Sequence, residues 1–533
     1  MGKRASSPTS RPKSKTSTAP NDQSRVKDVN DDMGEFEDQW EDEVELDEDA
    51  GEVVDARDYE DNEDEQHQDV DMQLDRPDTI FEEVQDDEED QVHGTDEPQQ
   101  PETVPYLPGG QLEEGETLQP DLSTYPLLHS FVPTWPSLSF DVLRDNGGEE
   151  RQGYPVSCAL VSGTQAMDKT ANELTIMRWE GLGRTRKGDE DSDDDDDDDV
   201  AEVEDDPIIT FRTIPHQGCV NRVRARILPG PLSAAPPSPP EPYHVATFSE
   251  TGKVHIFDVA PHLDSLLQPG NSAGQPLSKK PLYTVDNHGR AEGYALAWGQ
   301  PIGGSTTSSA RLLSGDIHSK IFMTTVNESQ FTTAPKPFTS HTDSVEDLQW
   351  SPSEPTVFAS CSADKSIRVW DIRVKDKKSV LGVAGAHDSD VNVISWNLKT
   401  NYLLASGGDE GGIKIWDLRN FKGTKAPAPT PVASFNWHTA PITSIEWHPT
   451  EDSCFAASGS DDQLTLWDLS VEEDQEETPN ITSIDRLKDV PAQLLFVHQG
   501  QKDIKEIHWH PQIPGCVVST ALDGFNIFKT ISL

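Results

Sequence analysis

A histidine followed 29 residues later by a tryptophan–aspartate pair occurs three times in this chain. The three windows follow one another and run between these residues: His341 and Trp370, His387 and Trp416, His438 and Trp467. Their starting points are 46 and 51 residues apart. A β unit of this length cannot bury its own apolar face, so it must stack on copies of itself. The repeat therefore predicts stacked β units and favours binding over catalysis.

Weaker copies of the same pattern surround the three clear ones. Upstream, Phe257 stands where the repeat has tryptophan, and Asp316 precedes Phe322 as the acidic turn precedes tryptophan in the clear copies. The pattern predicts seven units, at about 135–214, 215–262, 282–328, 338–376, 382–424, 431–472 and 494–530. Seven four-stranded units around a channel form a β-propeller. We therefore predict an all-β chain in which 135–533 form a seven-bladed WD-repeat propeller.

The region before the first unit divides into two parts. Residues 1–118 begin basic and Ser/Pro-rich and then become acidic, so they cannot offset the entropy of ordering and are predicted to be disordered. Apolar residues then recur at roughly helical spacing. They predict an N-terminal helix over 119–134 that packs on the propeller and carries Leu127, Leu128 and Phe131.

The formal net charge of −54 is concentrated in two tracts. Residues 31–97 hold 33 acidic and two basic residues, and the insertion 189–206 holds 14 acidic and no basic ones, which leaves −9 for the remainder. Such tracts suit docking of a highly basic partner, although a solubilising role remains open. Their sign argues against direct nucleic-acid binding. We expect one run to screen client cations: Asp193, Asp194, Asp195, Asp196, Asp197, Asp198 and Asp199.

Several function classes are excluded by what the sequence lacks. The five cysteines are far apart without a Cys-x-x-Cys pair, which predicts neither a zinc cluster nor a disulfide framework and indicates a reducing compartment. No apolar run approaches the roughly 20 residues of a membrane span. Short basic clusters near the N-terminus are compatible with nuclear import and equally with a generic basic terminus. We expect no metal, no cofactor and a monomer.

Histidine, serine, an acidic residue and tryptophan recur together in each clear repeat. They predict three hydrogen-bonded sets: His341, Ser360, Asp364 and Trp370; His387, Ser406, Glu410 and Trp416; His438, Ser458, Asp461 and Trp467. The residue types are those of a hydrolase triad. An enzyme needs one such site, whereas these sets repeat blade by blade. We therefore predict structural networks and no catalytic residue.

Two stretches go beyond what the generic repeat requires. They are 456–469, which reads AASGSDDQLTLWDL, and 494–528, with the elements LLFVHQG and LDGFNIF. Both resemble the glutamate-rich WD-repeat protein family, and the resemblance covers about 120–533. Fungal members of that family are assembly chaperones for a large-subunit ribosomal protein in the nucleolus. The resemblance implies a non-enzymatic nuclear and nucleolar chaperone with a highly basic client.

A wider resemblance is to the retinoblastoma-associated histone-binding propellers. It rests on the segment from Trp135 to Phe140 and on the acidic connector 471–489 with the segment that follows it. In that class a basic histone helix lies between an N-terminal helix and this loop. The resemblance implies a histone chaperone or chromatin adaptor as the alternative function. It implies a client groove made of Leu127, Leu128, Phe131, Glu472, Glu473, Asp474, Glu476, Glu477, Asp489, Leu494, Leu495 and Phe496.

Two adjacent repeats end in Trp-Asp-x-Arg, at Arg373 and Arg419. This pair resembles substrate receptors of cullin-type ubiquitin ligases, in which the arginine faces the adaptor. The resemblance implies a possible ligase adaptor as a third kind of partner. The simpler interpretation is a basic residue at the end of a strand.

Overall fold

The computed structural model describes residues 118–185, 206–226, 242–268, 277–299, 310–327, 330–422, 429–472 and 490–532. Over these residues the chain forms seven antiparallel sheets of four strands each. The innermost strands of successive sheets contact one another in a closed order, so the sheets form blades around a central channel. The prediction of an all-β, seven-bladed WD-repeat propeller is confirmed.

The blades of the first half contain these strands from the channel outwards: blade 1, β2 (Ser139–Leu143), β3 (Val156–Gly163), β4 (Glu173–Leu182) and β5 (Ile208–Pro215); blade 2, β6 (Val220–Ala225), β7 (His244–Ser249), β8 (Val254–Asp258) and β9 (Tyr283–Val285); blade 3, β10 (Ala295–Gly299), β11 (Ala310–Gly315), β12 (Ile321–Asn327) and β13 (Gln330–Thr333). The α-helix α1 (Ala260–Leu267) follows β8.

The blades of the second half contain these strands in the same order: blade 4, β14 (Val345–Trp350), β15 (Val357–Ser362), β16 (Ile367–Asp371) and β17 (Leu381–Val383); blade 5, β18 (Val391–Trp396), β19 (Leu403–Gly408), β20 (Ile413–Asp417) and β21 (Ala433–Phe435); blade 6, β22 (Ile442–Trp447), β23 (Cys454–Gly459), β24 (Leu464–Asp468) and β25 (Leu494–His498); blade 7, β26 (Ile504–Trp509), β27 (Cys516–Ala521), β28 (Gly524–Lys529) and β1 (Leu127–Phe131).

Glycines in the second strands of some blades allow those blades to pack closely on their neighbours. At Gly407, near the end of β19, an added Cβ would lie 2.5 Å from the side chain of Ile442, the first residue of β22. Gly315 stands in the same relation to Val345 of the next blade. Because β-branched residues pack into these positions, any larger side chain would separate neighbouring blades.

The N-terminal segment does not form the predicted helix. It makes a single 3-10 turn, Leu122–Thr124, and then the strand β1, which pairs with β28 along its whole length. Short apolar runs are ambiguous between helix and strand, and here the free edge of β28 decides the outcome. The prediction of a helix over 119–134 is wrong, and this segment instead completes blade 7 and closes the ring.

The predicted units are also offset from the blades by one strand. In blades 2, 4, 5 and 6 the outermost strand lies wholly or mostly in the sequence unit that follows, and β13 of blade 3 lies between two predicted units. For example, β25 completes blade 6, although the sequence pattern assigned it to the last unit. This exchange leaves blade 7 without an outer strand of its own, which is why β1 is needed.

Several predicted features lie outside the described residues. They are the tail 1–117, the insertion 189–205 with its run Asp193–Asp199, and the connector residues Glu473, Asp474, Glu476, Glu477 and Asp489. Among the helices that are described, none has the length and apolar character to cross a membrane.

Candidate functional site

The repeated histidine sets form buried networks. In blade 4 the indole Nε1–H of Trp370 donates to Ser360 Oγ at 2.8 Å, and Ser360 lies 2.6 Å from His341 Nε2. The other ring nitrogen, Nδ1, lies 2.9 Å from Asp364. Burial lowers the pKa of His341 despite the nearby carboxylate, so the ring is neutral at pH 7 and its Nδ1–H faces Asp364. Each polar group already has a partner, which indicates a structural role.

Blade 5 contains the same arrangement with glutamate in place of aspartate. His387 lies 2.6 Å from Glu410 and 2.7 Å from Ser406, to which Trp416 donates at 2.8 Å. Glu410 stands at the same turn position as Asp364, 23 residues after the histidine, and contacts the ring with its longer side chain. The network therefore tolerates either carboxylate.

In blade 6 the predicted serine is not part of the network. Thr465 Oγ1 lies 2.9 Å from His438 Nε2 and accepts from Trp467 at 2.8 Å, whereas Ser458 contacts Thr443. Thr465 precedes the tryptophan by two residues on β24, so both side chains lie on one face of the strand. The assignment of Ser458 is wrong, although Asp461 contacts His438 at 2.9 Å as predicted.

Blade 3 contains a fourth set that the sequence pattern missed. His288 lies 2.8 Å from Asp316 and 2.7 Å from Ser314, and Phe322 meets its ring edge-on at 4.8 Å. The insertion 300–309 lengthens the spacing between this histidine and its acidic turn, which hides the repeat.

A charged network joins blades 7, 1 and 2 near the channel. One oxygen of the buried Glu506 accepts from Ser139 Oγ at 2.6 Å and from the Phe140 N–H at 2.9 Å. The other oxygen pairs with Arg222 at 2.7 Å and Arg224 at 2.8 Å. Burial by itself would raise the pKa of Glu506, but the two guanidinium groups hold it well below its usual range. Glu506 thus contacts blades 1 and 2 through both of its oxygens, so this network positions the blades.

The predicted client groove is only partly assembled. Leu128, Leu495 and Phe496 are partly buried around Tyr125, whose ring meets that of Phe496 at 5.3 Å. The Tyr125 hydroxyl is 2.9 Å from Nδ1 of His498 on β25. These four side chains, Tyr125, Leu128, Leu495 and Phe496, make up what we call the blade-7 patch. Glu472 is exposed at the start of the connector.

Three predicted groove residues point elsewhere. Leu127 is completely buried, and Phe131 packs on Trp179 of blade 1 with ring centroids 4.3 Å apart. Successive side chains of a strand point to opposite faces, so Leu127 and Phe131 face blade 1 while Leu128 faces blade 6. Leu494 packs in the core between blades 5 and 6. The common groove inferred from a helix therefore does not form in the described residues.

Four carboxylates lie where the inner strands of blades 4 and 5 begin. Asp343 and Glu346 flank the start of β14, Asp390 precedes β18, and Asp409 lies in the turn after β19. Burial raises the pKa of Asp390, and nearby Asp409 and Asp343 raise it further. Burial also raises the pKa of Glu346, and Asp390 and Asp343 add to this effect. We call these four residues the acidic mouth.

Cations near the acidic mouth compensate for it only in part. Lys365 and Arg222 lower the pKa of Asp390 and Glu346, respectively, yet the pKa of both carboxylates is still raised. A bound cationic segment would relieve this repulsion. Sequence reasoning missed the cluster because its members come from different repeats, and only the fold brings them together.

The two Trp-Asp-x-Arg arginines occupy equivalent exposed positions just after β16 and β20. Arg373 makes a two-pronged contact with Asp371, with Nη2 2.7 Å from the carboxylate. Arg419 contacts Asp417 in the same way at 2.6 Å and lies 3.7 Å above the ring of Tyr402. Both guanidinium groups are therefore held in defined orientations at the same end of adjacent blades.

Comparison with known proteins shows the family. The chain is 44% identical over 504 residues to the ribosome assembly protein rrb1 of Schizosaccharomyces pombe, covering 95% of this chain and 94% of the relative. It is 42% identical to the glutamate-rich WD repeat-containing protein 1 of Dictyostelium discoideum, covering 79% and 83%. The chain belongs to the glutamate-rich WD-repeat protein family. This family member is also 41% identical to the protein HEAT STRESS TOLERANT DWD 1 of Arabidopsis thaliana, covering 79% and 90%.

Two family models match parts of this glutamate-rich WD-repeat protein. Residues 310–467 match the model described as EIPR1 beta-propeller. Residues 115–182 match the model of the histone-binding protein RBBP4, which also represents a component of the CAF1 complex. The second match covers β1 to β4, where the ring closes. It therefore includes two residues of the blade-7 patch, Tyr125 and Leu128. Among the described residues no group of three or more His, Cys, Asp or Glu side chains could hold a metal ion.

Proposed function

We propose that this protein is a non-enzymatic nuclear and nucleolar chaperone that binds a highly basic large-subunit ribosomal protein before its assembly. The observation that carries the proposal is the 44% identity, over nearly the full length of both chains, to a ribosome assembly protein. A chaperone with such a client needs a rigid binding platform and a negative field, because the client is positively charged and binds RNA nonspecifically.

The molecule offers both properties. The propeller supplies the platform, with the acidic mouth on one end and the blade-7 patch on its side. The tracts 31–97 and 189–206 supply 47 acidic residues against two basic ones. In this proposal the platform binds a defined client segment, while the tracts, including Asp193–Asp199, screen client lysines and arginines from RNA.

A pull-down from nuclear extract, followed by mass spectrometry, tests the proposal. We expect one large-subunit ribosomal protein to be enriched above histones and above ubiquitin-ligase adaptors. Enrichment of histones alone, or of ligase adaptors alone, would contradict it. The eluate should be free of ribosomal RNA, since co-purified ribosomal particles would enrich many ribosomal proteins without direct binding.

The acidic mouth gives a prediction in which stability and binding change in opposite directions. Glu346→Gln combined with Asp390→Asn should raise the free energy of unfolding at pH 7 by about 0.5–1 kcal/mol and weaken client binding about tenfold at low salt. A carboxyl whose folded pKa is raised destabilises the fold above that pKa. The gain in stability should therefore disappear as the pH falls through the raised values.

Urea denaturation and a binding titration measure the two effects. Glu354→Gln with Asp376→Asn is the matched control, because these exposed carboxylates lie at the opposite end of blade 4. Equal losses of binding in the two double variants would mean that only overall charge matters.

The alternative function is histone binding, as a histone chaperone or chromatin adaptor. It is favoured by the match of residues 115–182 to the histone-binding model. A histone client carries the same charge, so the acidic features do not discriminate between the two functions. Titrations with purified histones and with purified ribosomal proteins, at equal salt, do so directly.

A ligase-receptor role depends on Arg373 and Arg419. If the adaptor contacts these side chains, Arg373→Ala with Arg419→Ala should abolish adaptor capture and leave client binding intact, since both residues are exposed at the end of the blades opposite the acidic mouth. Arg290→Ala, which removes another exposed arginine, is the control. Adaptor capture that survives the double substitution would exclude this role for the two motifs.

A further inference from the structure

The outer strand of blade 1 differs from those of the other blades. β5 has eight residues, whereas the outermost strands of the other six blades have three to five. On its inner side β5 pairs with β4 throughout, from Ile208 opposite Glu180 to Pro215 opposite Glu173. Its other side is the edge of the sheet that the described residues form. A strand edge of this length presents a row of N–H and C=O groups to which another chain can pair.

This edge also carries large apolar side chains. Ile208, Ile209 and Phe211 are 58%, 38% and 57% exposed. Ile209 lies opposite Trp179 and Phe211 opposite Met177 on β4, so these side chains share one face of the blade. The face continues to Phe131, which packs on Trp179. An apolar strip thus runs from the core between blades 7 and 1 to the open edge.

The opposite face of the same strand is covered. Leu263 and Leu266 of α1 pack with Ile214 in the core shared by blades 1 and 2. The main-chain oxygen of Leu266 accepts from Arg178 at 3.1 Å, which fixes the helix against β4. The exposed apolar residues at 209 and 211 are therefore on the face that α1 does not cover.

Charge identifies the kind of partner that would bind here. Asp206 is exposed two residues before β5, and it ends the tract 189–206 with 14 acidic and no basic residues. Arg212 is the cation on the strand itself, and it donates to the main-chain oxygen of Phe211 at 2.9 Å. A second copy of this chain would bring a further net charge of −54, so its binding is disfavoured by electrostatic repulsion. A basic segment is attracted instead.

The geometry points to β5 as a docking edge for an extended segment of the basic client, added as a fifth strand to blade 1. Main-chain hydrogen bonds to the edge would give affinity, and alternate apolar side chains of the client would contact Ile209 and Phe211. Client lysines and arginines that flank the segment paired with β5 would lie near Asp206, at the end where β5 begins. This inference rests on the proposed function for the identity of the client.

A double substitution tests the edge without changing its charge. Ile209→Thr with Phe211→Thr keeps a β-favouring residue and removes apolar area, so the fold should persist with an unchanged melting temperature. The probe is the large-subunit ribosomal protein that the full chain binds when each is tested in purified form. We expect about a ten- to thirtyfold loss of affinity, the effect of residues central to an interface. Val380→Thr with Val432→Thr, exposed positions next to the outer strands of blades 4 and 5, is the control and should change affinity less than twofold.

Hydrogen exchange adds a main-chain readout. Strand addition predicts that amides of 209–213 gain protection when the client binds. Unchanged affinity in the double variant, together with unchanged exchange over these residues, overturns the inference while leaving the chaperone proposal intact. Protection that appears with rising concentration of the chain alone would mean that a second copy binds the edge, and would also overturn it. If no large-subunit ribosomal protein binds the full chain, the proposed function fails and this inference fails with it.

Discussion

Glu506→Ala should destabilise the propeller by about 3–5 kcal/mol, the typical cost of removing one partner from a buried ion pair. The substitution removes the carboxylate that pairs with Arg222 and Arg224 and removes acceptors from Ser139 and the Phe140 N–H. These groups belong to blades 1 and 2, whereas Glu506 belongs to blade 7. The lost stability would therefore come from the contacts that join blade 7 to blades 1 and 2, where the ring closes.

Urea denaturation at pH 7 measures this effect. Glu180→Ala is the matched control, because Glu180 is partly exposed, pairs with Arg178 at 2.9 Å and should contribute about 1 kcal/mol or less. Glu506→Gln should lie between the two, since the amide keeps an acceptor but not the charge. Equal effects of Glu506→Ala and Glu180→Ala would contradict the role assigned to the buried network.

The same network predicts the direction of a pH effect. The folded pKa of Glu506 is depressed, so its contribution to stability is complete above the ordinary value near 4.5 and is lost as the pH falls through the depressed value. Acid unfolding of the unmodified chain should therefore be steeper than that of Glu506→Gln.

Removal of the acidic tracts should have a large effect on client binding. Replacement of the acidic residues in 31–97 and 189–206 with Asn and Gln, at constant length, should weaken client binding at least about tenfold at 0.05 M salt. It should also flatten the dependence of the affinity on salt, because fewer charge contacts are screened. Titrations at several salt concentrations measure both quantities.

Control variants separate charge from length. A variant in which each tract keeps its charge, but has its residue order shuffled, should bind the client as the unmodified chain does. If the neutralised chain kept both the affinity and the salt slope, the tracts would be solubilising segments only, which is the alternative left open by the sequence.

The repeat pattern was sufficient to predict the fold because each repeat carries the apolar residues that stack it on the neighbouring repeats. The spacing from histidine to tryptophan reflects a buried network that recurs in blades 4, 5 and 6. The pattern was insufficient where pairing with a strand from a distant part of the sequence decides the local structure. Leu127 and Phe131 read as helical by spacing, yet they form a strand because β28 offers an unpaired edge.

The candidate site was less predictable than the fold. Thr465 replaces Ser458 because the hydroxyl that reaches His438 comes from β24, whereas Ser458 on β23 contacts Thr443, and local spacing cannot choose between the two strands. The acidic mouth joins Asp343 with Asp409, residues from different blades whose proximity exists only after folding. The exposed side chains on β5 look in sequence like an ordinary buried strand, and only its position at the edge of the sheet distinguishes them.

The most direct test of the central claim is a competition titration with purified components at physiological salt. The full chain is bound to a fluorescent large-subunit ribosomal protein, and unlabelled histones are added as competitors. The chaperone proposal predicts that histones displace the ribosomal protein only at concentrations at least about tenfold above the dissociation constant of the ribosomal protein, a difference of about 1.4 kcal/mol. Displacement by histones at or below that constant would contradict the proposal and favour the histone-binding alternative.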